Sequence, residues 1–435
     1  MSAGDRDAWT ALLPRAPIRF ASDFHWGVAS SAFQAEGGDV ANDWVDAAHA
    51  GRVPANPGNG FWERAEDDLR QVAALGFRHY RLSLEWSRIE PEPGRFDERA
   101  LDCYRAICDA ALAAGVTPWV NFFHFTHPRW FAARGGFLAP DGQAAFLRYL
   151  ERAAKALAGR ARHFHVSNES LAYVASGYLT GMNPPFVRDQ RATYAMTRTV
   201  LELQAEGYRI LKATDPGATV ATIEVYLDVH PSDPADAGQR AAAQQLDAWY
   251  HGVLLDALAT GWIRLPETDP VEVPHLRGAL DVYGFNYYTP VYLGASEGEG
   301  AFGGSSGSGP RDALGRIVDP GGLERGLLRV SSALPGVPLL VTENGCPTSD
   351  ETFRIRYLAA HLGALDAARR AGVPVNGYFH WTAVDNYEWH HGYAEDARFG
   401  LIGFDPATRA RRIKRSGEWL AAVIRAGVLD PERVP

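Results

Sequence analysis

The chain has 435 residues, a length that fits one large α/β barrel as well as two or three average domains. Hydrophobic residues make up 46% and charged residues 22%, which are the proportions of a folded globular protein and exclude a disordered or fibrous one. The net charge of −9 at pH 7 provides no basic stripe for a phosphate backbone, so we expect no nucleic-acid partner.

The cysteine content and the hydrophobic runs predict where the protein resides. Three cysteines are too few, and odd in number, for a disulfide framework, which favours a reducing compartment. The first 19 residues carry charges and no apolar core, so we expect no secretory signal. No apolar run reaches the ~18–20 residues that cross a bilayer. We therefore expect a cytoplasmic protein with no membrane partner, and nothing in the sequence decides between a monomer and a homo-oligomer.

Eight short apolar runs, rich in β-branched and aromatic residues, predict β-strands. The predicted strands cover residues 24–31, 79–84, 117–123, 163–167, 219–226, 282–287, 339–342 and 376–381. Longer amphipathic stretches separate them, and strands separated by helices of this length form parallel sheets. Eight such units predict the α/β class and a single (β/α)8 TIM barrel that occupies residues 1–435.

The stretches between the strands predict helices. They cover residues 62–75, 98–114, 142–158, 193–213, 239–259, 322–334 and 353–371. Gly76, Gly115 and Gly372 follow three of these stretches, directly before the next strand. Glycine at this position is a typical helix stop signal, which supports the assignment of strands and helices.

One segment, 294–309, is of low complexity and rich in Gly and Ser. Segments of this composition are flexible and form linkers or loops. A domain boundary here would leave the last two strands without a closed core. We therefore interpret 294–309 as a flexible loop on the rim of the single barrel.

Polar and aromatic side chains gather at the predicted strand ends, where barrels of this type place their catalytic groups. The candidate site residues are Gln34, Arg81, His124, Asn168, Glu169, Asn286, Tyr288, Glu343, Trp381, Glu388 and Trp389. Glu169 and Glu343 follow strands four and seven, so they face each other across the barrel mouth. Cleavage of a glycosidic bond needs such a pair: one carboxyl protonates the leaving oxygen, and the other attacks the anomeric carbon or activates water.

The neighbours of the two carboxyls predict different charge states. Arg81 can hold Glu343 ionised, and a hydrogen bond from Tyr288 favours the same state. Glu169 lies beside Asn168 in a less charged setting, which favours a protonated acid. On spacing alone the alternative stays open, because a glutamate at a strand end is often a helix cap or an ion-pair partner.

Histidines offer a rival interpretation, a barrel metallohydrolase. His163 and His165 lie on one face of a predicted strand, and His124 and His127 are three residues apart. No cluster of Cys, Asp or Glu completes a ligand set, so we expect no metal. The glycine-rich loops that bind nucleotides are also missing from the sequence, so we expect no cofactor.

Seven segments resemble, in order, the motifs of one known family. They are FHWGVASSAFQAEG (24–37), YRLSLEWSRI (80–89), NE (168–169), GFNYYT (284–289), VTENG (341–345), GYFHW (377–381) and DNYEW (385–389), followed by RFG (398–400). Together they are similar to the retaining β-glycosidases of glycoside hydrolase family 1, over residues 24–420. The EWSRI form of the second motif resembles the archaeal-type branch.

The resemblance implies a role for each candidate residue. Glu169 corresponds to the acid/base and Glu343 to the nucleophile of a retaining exo-β-glycosidase. The residues implied to bind sugar are Gln34, His124, Asn168, Trp381, Glu388 and Trp389, and those implied to support the nucleophile are Arg81, Asn286 and Tyr288. The implied substrates are small-molecule or oligosaccharide β-glycosides, foremost β-D-glucosides, with β-galactosides and β-fucosides also open.

The chain departs from the family pattern at three positions. Ser170 replaces a proline after the acid/base, from which we expect a looser loop. Phe125 replaces a sugar-contacting tryptophan, and Arg316 replaces a tryptophan at the aglycone platform, which is then absent or charged. Glu388 is retained, and its carboxylate disfavours phosphorylated sugars. A glycan-binding barrel without turnover remains the competing class, although such proteins typically lose one carboxyl and both are present here.

Overall fold

Eight parallel strands close into a barrel at the centre of the protein, in the computed structural model that describes residues 3–294 and 309–435. Each predicted strand is found, with shifts of a few residues at the ends. The strands are β1 (His25–Ala29), β2 (His79–Ser83), β3 (Thr117–Asn121), β4 (His163–His165), β5 (Thr219–Val225), β6 (Val282–Asn286), β7 (Leu339–Asn344) and β8 (Val375–Trp381). Neighbours in the barrel are neighbours in sequence, and β8 pairs with β1 to close it. The predicted (β/α)8 barrel is confirmed.

A helix follows each barrel strand. The helices are α1 (Phe61–Ala74), α2 (Glu98–Ala113), α3 (Gly142–Ala156), α4 (Gln190–Thr214), α5 (Ala237–Asp247), α6 (Pro320–Ala333), α7 (Glu351–Arg370) and α8 (Arg415–Ala426). The first seven were predicted. Helix α8 was not predicted. Short strands and turns separate it from β8, and they interrupt the regular alternation of strand and helix in the sequence. Within the described ranges, no helix is both long and apolar enough to cross a membrane.

Shorter elements elaborate the loops. Short α-helices cover Ala3–Leu12, Ala32–Glu36, Asp43–His49, Trp86–Ile89, Arg129–Ala133, Ser170–Val174 and Val253–Thr260, π-helical turns Ala175–Leu179 and Ala248–Gly252, and 3-10 turns Gly136–Leu138, Glu395–Ala397 and Pro431–Arg433. Two-stranded pairs join Ile18–Arg19 to Val428–Leu429, Asp228–Pro231 to Pro290–Leu293, Trp262–Ile263 to Val271–Glu272, and Ile402–Phe404 to Arg411–Ile413. Several of these elements lie in the loops that follow β1 to β4, and so surround the barrel mouth.

Aspartate side chains cap the N-termini of five of the barrel helices. Each accepts a hydrogen bond from a backbone N–H in the first turn, which satisfies a donor that has no partner within the helix. The caps are Asp97, Asp189, Asp236, Asp319 and Asp350, for α2, α4, α5, α6 and α7. At the opposite ends of α1, α2 and α7, Gly76, Gly115 and Gly372 have φ of 99°, 73° and 93°. The predicted stop signals are therefore confirmed.

Aromatic and imidazole rings fill the barrel interior toward the ends where the strands begin. Trp119 packs with Leu340 and Phe379 in one buried cluster. The rings of His163 and His79 lie 4.2 and 6.1 Å from the Trp119 ring. Because close-packed side chains occupy this end, free volume remains at the opposite end, where the strands finish.

The predicted rim loop at 294–309 falls almost entirely outside the described residues. Only its end residues, Gly294 and Gly309, are among them, with φ of 88° and 152°. The flexible loop and the organisation of residues 1–435 as one domain therefore stay predictions.

Candidate active site

A cavity with a volume of about 290 Å³ lies at the mouth of the barrel. Its walls include eight of the candidate residues, namely Gln34, His124, Glu169, Tyr288, Glu343, Trp381, Glu388 and Trp389. The other three, Arg81, Asn168 and Asn286, are buried and make hydrogen bonds to residues of the wall or to one another. The cavity is near the lower end of the size range of small-molecule sites, with apolar walls and a few convergent polar groups.

Two donors are directed at the Glu343 carboxylate. It lies near the end of β7, is 3% exposed, and forms an ion pair with the fully buried Arg81. Its second carboxylate oxygen accepts a hydrogen bond from the Tyr288 hydroxyl. A cation and a hydroxyl directed at one carboxylate favour its charged form, which is the form a nucleophile needs.

Glu169 stands in a different environment. It follows β4 with φ 46° and ψ 54°, in the left-handed region, and its N–H donates to the Ile223 carbonyl at 2.9 Å. Burial raises the pKa of the Glu169 carboxyl well above its ordinary value, and the negative charge of Glu343 adds to the rise. The two carboxyls of the cavity thus stand in different environments, and only that of Glu169 favours the protonated form, as the implied role of an acid requires.

The position of Asn286 corrects an expectation. It was predicted to support Glu343, but its Nδ2 donates to the Glu169 carboxyl at 2.7 Å. Its carbonyl oxygen accepts from the Thr342 hydroxyl at 2.7 Å. Arg81 and Tyr288 donate to the two oxygens of Glu343, whereas the amide of Asn286 donates to Glu169.

A chain of hydrogen bonds joins the cation to the imidazole of the cavity wall. Arg81 donates to Asn168 Oδ1 at 2.6 Å, and Asn168 Nδ2 lies 3.3 Å from His124 Nε2. His124 Nδ1 lies 3.1 Å from the Ser83 hydroxyl. Burial lowers the pKa of His124 well below its ordinary value, with a further contribution from Arg81, so its imidazole is neutral. Asn168 is therefore oriented by its neighbours before any sugar binds.

Gln34 and Glu388 present polar groups at the cavity wall. Gln34 donates to the Tyr387 carbonyl at 2.8 Å and accepts from the Ser31 hydroxyl at 2.7 Å, which holds its amide in one orientation. Burial raises the pKa of Glu388 to about 7, while the nearby Arg316 guanidinium opposes the rise. A carboxylate and an oriented amide are suitable partners for sugar hydroxyls.

Two indoles form apolar walls. The Trp381 ring lies 6.0 Å from the His124 ring, with 22° between the planes, and the Arg81 guanidinium lies 5.8 Å from it. The Trp389 ring lies 4.4 Å from that of Trp44. Phe125, the replacement for a tryptophan, lines the cavity 5.3 Å from Trp389 and has φ 70°.

Arg316 places a charge in the cavity wall. Its Nε donates to Asp312 at 2.8 Å, and its guanidinium lies 5.5 Å from the Phe399 ring and 6.0 Å from the Tyr288 ring. The position at which the family resemblance implies an aglycone platform therefore carries a cation in the cavity wall. The sequence named this departure, but the contact with Phe399 and Tyr288 depends on the tertiary structure.

Two residues beside Glu169 escaped the sequence analysis, which assigned no site residue to β5. Glu224 lies near the end of β5, is 1% exposed, and accepts a hydrogen bond from the Ser170 hydroxyl. Tyr250, in a π-helical turn, is fully buried and lines the cavity. A charged residue inside an apolar strand was the signal for Glu224, whereas Tyr250 had none. Ser170, from which we expected a looser loop, is fastened to the barrel.

The histidine alternative gains no support from the described part of the chain. No group of three or more His, Cys, Asp or Glu side chains there is arranged to hold a metal ion. The rings of His163 and His165 stack on Trp119, at 4.2 and 5.6 Å. His127 lies 3.5 Å from the Asp43 carboxylate, whereas His124 has Ser83 and Asn168 as partners. These imidazoles pack and pair rather than converge.

A closed parallel barrel with two glutamate carboxyls in one cavity at its mouth, each in a different electrostatic setting, is the arrangement of an O-glycosyl hydrolase. The model of the family described as glycosyl hydrolase family 1 matches residues 16–428, which is most of the chain. The chain belongs to glycosyl hydrolase family 1.

Individual relatives span nearly the whole chain. The chain is 31% identical to thermostable beta-glucosidase B of Thermobispora bispora, over 94% of this chain and 91% of that protein. It is 28% identical to a bifunctional beta-D-glucosidase/beta-D-fucosidase of Bifidobacterium breve, over 92% and 97%. Among solved structures, the beta-glycosidase from Pyrococcus horikoshii matches with a TM-score of 0.86 and 32% identity, over 96% of this chain and 97% of that one. The assignment to the archaeal-type branch stays a prediction that this last similarity supports.

Proposed function

We propose that the protein is a retaining, exo-acting β-glycosidase that removes terminal β-linked monosaccharides, foremost β-D-glucose. The observation that carries the proposal is the contrast between the surroundings of two carboxyls in one cavity: Arg81 and Tyr288 are directed at Glu343, whereas burial and the charge of Glu343 raise the pKa of Glu169. The names of the relatives, beta-glucosidases and a beta-D-glucosidase/beta-D-fucosidase, support this substrate class, with β-galactosides and β-fucosides as further candidates.

In the proposed mechanism the Glu343 carboxylate attacks the anomeric carbon while Glu169 gives its proton to the departing glycosidic oxygen. A covalent glycosyl-enzyme forms and the aglycone leaves. Glu169, now a carboxylate, then takes a proton from water, which attacks the anomeric carbon and releases the sugar and Glu343. A separation of ~5–5.5 Å between the carboxyls belongs to this retaining course, and ~6.5–9.5 Å to an inverting one.

The sugar is held by the groups around this pair. We assign hydroxyl binding to Gln34, His124 and Glu388, and the two apolar walls to Trp381 and Trp389. Asn168 is assigned to the 2-hydroxyl, a contact that strengthens in the transition state. The modest cavity volume, about 290 Å³, favours one terminal sugar over an internal stretch of a glycan chain.

A panel of nitrophenyl β-glycosides tests the proposal. We expect the wild-type protein to release nitrophenol and to rank the gluco, galacto and fuco sugars. Glu343→Ala should abolish hydrolysis, and added azide should then yield an α-glycosyl azide. Glu418→Ala, an exposed glutamate on α8, is the matched control and should keep full activity. Release from no member of the panel would leave the glycan-binding barrel as the function, and absence of the azide product would remove Glu343 as nucleophile.

We also propose a cytoplasmic location without nucleic-acid or membrane partners. Cys103, Cys108 and Cys346 are all free, which supports a reducing compartment. Fractionation of the producing cell tests the location, and recovery outside the cytoplasm would overturn it. The oligomeric state stays open, and size-exclusion chromatography with light scattering would determine it.

A further inference from the structure

We propose that Glu224 is a positioning residue for the general acid: through Ser170 and Leu171 it holds the turn that aims Glu169 into the cavity. The inference rests on the proposed function, in which Glu169 is the acid/base. Neither Glu224 nor Ser170 lies among the residues to which the family resemblance gives a role.

The contacts of Glu224 reach the two residues that follow Glu169 in the chain. One carboxyl oxygen accepts a hydrogen bond from the Ser170 hydroxyl, and the backbone N–H of Leu171 donates to the other at 3.2 Å. On the other side of the turn, the Glu169 N–H donates to the Ile223 carbonyl at 2.9 Å. Strand β5 therefore holds the turn twice, through its backbone before the turn and through a side chain after it.

The turn needs this support because of its backbone conformation. Glu169 lies in the left-handed region, with φ 46° and ψ 54°, which side chains with a Cβ rarely adopt. Such a conformation persists where the surrounding structure over-determines it. Only one side-chain contact holds the Glu169 carboxyl itself among the hydrogen bonds of the described residues, the amide of Asn286 at 2.7 Å. The direction of the carboxyl thus depends on the backbone that β5 anchors.

Ser170 and Glu224 are matched to each other. Glu224 is 1% exposed, and a buried carboxyl without hydrogen-bond donors is costly. The hydroxyl and N–H groups after Glu169 supply those donors. The proline that the family places at position 170 has neither a hydroxyl nor an N–H to offer. The serine in its place is therefore explained by the carboxyl on β5, and the loop is held by hydrogen bonds where a ring would otherwise stiffen it.

Leaving-group dependence provides the test, because protonation matters only for a poor leaving group. We would measure kcat/KM, which reports formation of the glycosyl-enzyme, on phenyl β-glucoside and on 2,4-dinitrophenyl β-glucoside. General acid catalysis contributes ~10²–10⁴-fold. We expect Glu224→Leu to lower kcat/KM on the phenyl glycoside by ~10–100-fold and on the dinitrophenyl glycoside by less than ~3-fold.

Three further variants separate positioning from general damage. Glu224→Gln keeps an acceptor oxygen for Ser170 and should restore the phenyl glycoside to within ~3-fold of wild type. Ser170→Ala removes only the hydroxyl and should show the same selective loss, in smaller degree. Ser416→Ala is the matched control: Ser416 likewise donates through its hydroxyl and its N–H, the latter at 3.0 Å, to Glu351 on α7. It should leave the ratio of the two substrates unchanged.

Each outcome decides between the claims. If Glu224→Leu does not fold, Ser170→Ala and Glu224→Gln carry the test alone. An equal loss on both glycosides, or no loss in any variant, overturns the role of Glu224 and leaves the proposed function intact. A wild-type protein that hydrolyses neither glycoside overturns the proposed function, and the inference falls with it.

Discussion

At the scale of single residues, identical side chains acquire opposite properties from their neighbours. Glu169 and Glu343 are both buried carboxyls in one cavity. A guanidinium and a phenol are directed at Glu343, whereas Glu169 meets one amide and the charge of its partner. The division of roles that we propose, acid and nucleophile, therefore comes from the residues around the pair.

The hydrogen bond from Asn286 to Glu169 predicts how kcat/KM depends on pH. Its N–H stabilises the charged form of Glu169 and so lowers the pKa of that carboxyl. Asn286→Ala should raise the pKa further, and Glu169 should then stay protonated to higher pH. We expect the alkaline limb of the kcat/KM profile on an aryl β-glucoside to move to higher pH. Thr342→Val, which leaves the amide N–H in place, should move it less. A shift toward lower pH would contradict the contact.

The effect of the Arg316 charge on Glu388 leads to a second prediction at the scale of single residues. Burial has raised the pKa of Glu388 to about 7, and the guanidinium of Arg316 limits the rise. Arg316→Met should raise that pKa again, so that Glu388 is mostly protonated at pH 7 and accepts sugar hydroxyls less well. Because a charged acceptor makes the stronger hydrogen bond, we expect KM to rise by ~3–10-fold at pH 7 and less at pH 9.

Arg316→Lys keeps the charge and serves as the control, with a KM close to that of the wild type at both pH values. A KM in Arg316→Met that rises equally at pH 7 and pH 9 would show that Arg316 acts through its shape and not through Glu388. Initial rates on an aryl β-glucoside at several concentrations are sufficient for this measurement.

At the scale of elements, one buried ion pair joins α1 to the strand Arg411–Ile413, far along the chain. Arg411 donates to both carboxylate oxygens of Asp68, at 2.8 and 2.7 Å, and the side chains are 2% and 0% exposed. Arg411→Met leaves the Asp68 charge buried without a partner. We expect a loss of ~3–5 kcal/mol in the free energy of unfolding, measured in denaturant.

The double variant Asp68→Leu with Arg411→Met removes both charges. It should be more stable than Arg411→Met alone, because no uncompensated charge remains in the interior. Arg412→Met, at an exposed neighbouring position, should change the free energy of unfolding by less than ~0.5 kcal/mol. Equal losses in the single and double variants would show that shape, not charge, holds this junction.

At the scale of the whole molecule, two sets of titratable groups have opposite effects on how the stability of the protein depends on pH. Among the described residues, burial lowers the pKa of ten histidines, His25, His79, His124, His127, His163, His165, His251, His361, His380 and His390. It raises the pKa of five carboxyls, Glu36, Asp43, Glu169, Glu224 and Glu388. In the folded protein burial therefore favours the neutral form of these histidines and the protonated form of these carboxyls, and Glu388, with a pKa of about 7, is only partly protonated at neutral pH.

The two sets predict a maximum of stability near pH ~6.5, the ordinary pKa of histidine. Below this pH, the unfolded chain binds protons on its histidines that the folded protein does not bind. Because these histidines outnumber the carboxyls, the stability decreases as the pH is lowered. Above it, the carboxyls act together with His230, whose pKa the hydrogen bond to Asp228 raises, and stability falls as pH rises toward 8 because the unfolded chain has lost these protons. Denaturant unfolding at pH 5, 6.5 and 8 tests this, and a steady rise to pH 8 would contradict it.

The sequence by itself determined the barrel and the position of its chemistry. Apolar runs of strand length, helix stops such as Gly76 and the order of the motifs are local signals, and the ends of parallel strands must meet at one mouth. That is why eight candidate residues line one cavity, Glu169 and Glu343 among them.

Only the tertiary structure decided which side chains touch. Asn286 donates to Glu169 and not to Glu343, the Ser170 hydroxyl after Glu169 donates to Glu224, and Arg316 reaches the Phe399 ring. These contacts join residues 54 to 117 positions apart, or cross between loops. Their geometry depends on strand register and on competition for a few donors and acceptors, neither of which leaves a periodic trace in the chain.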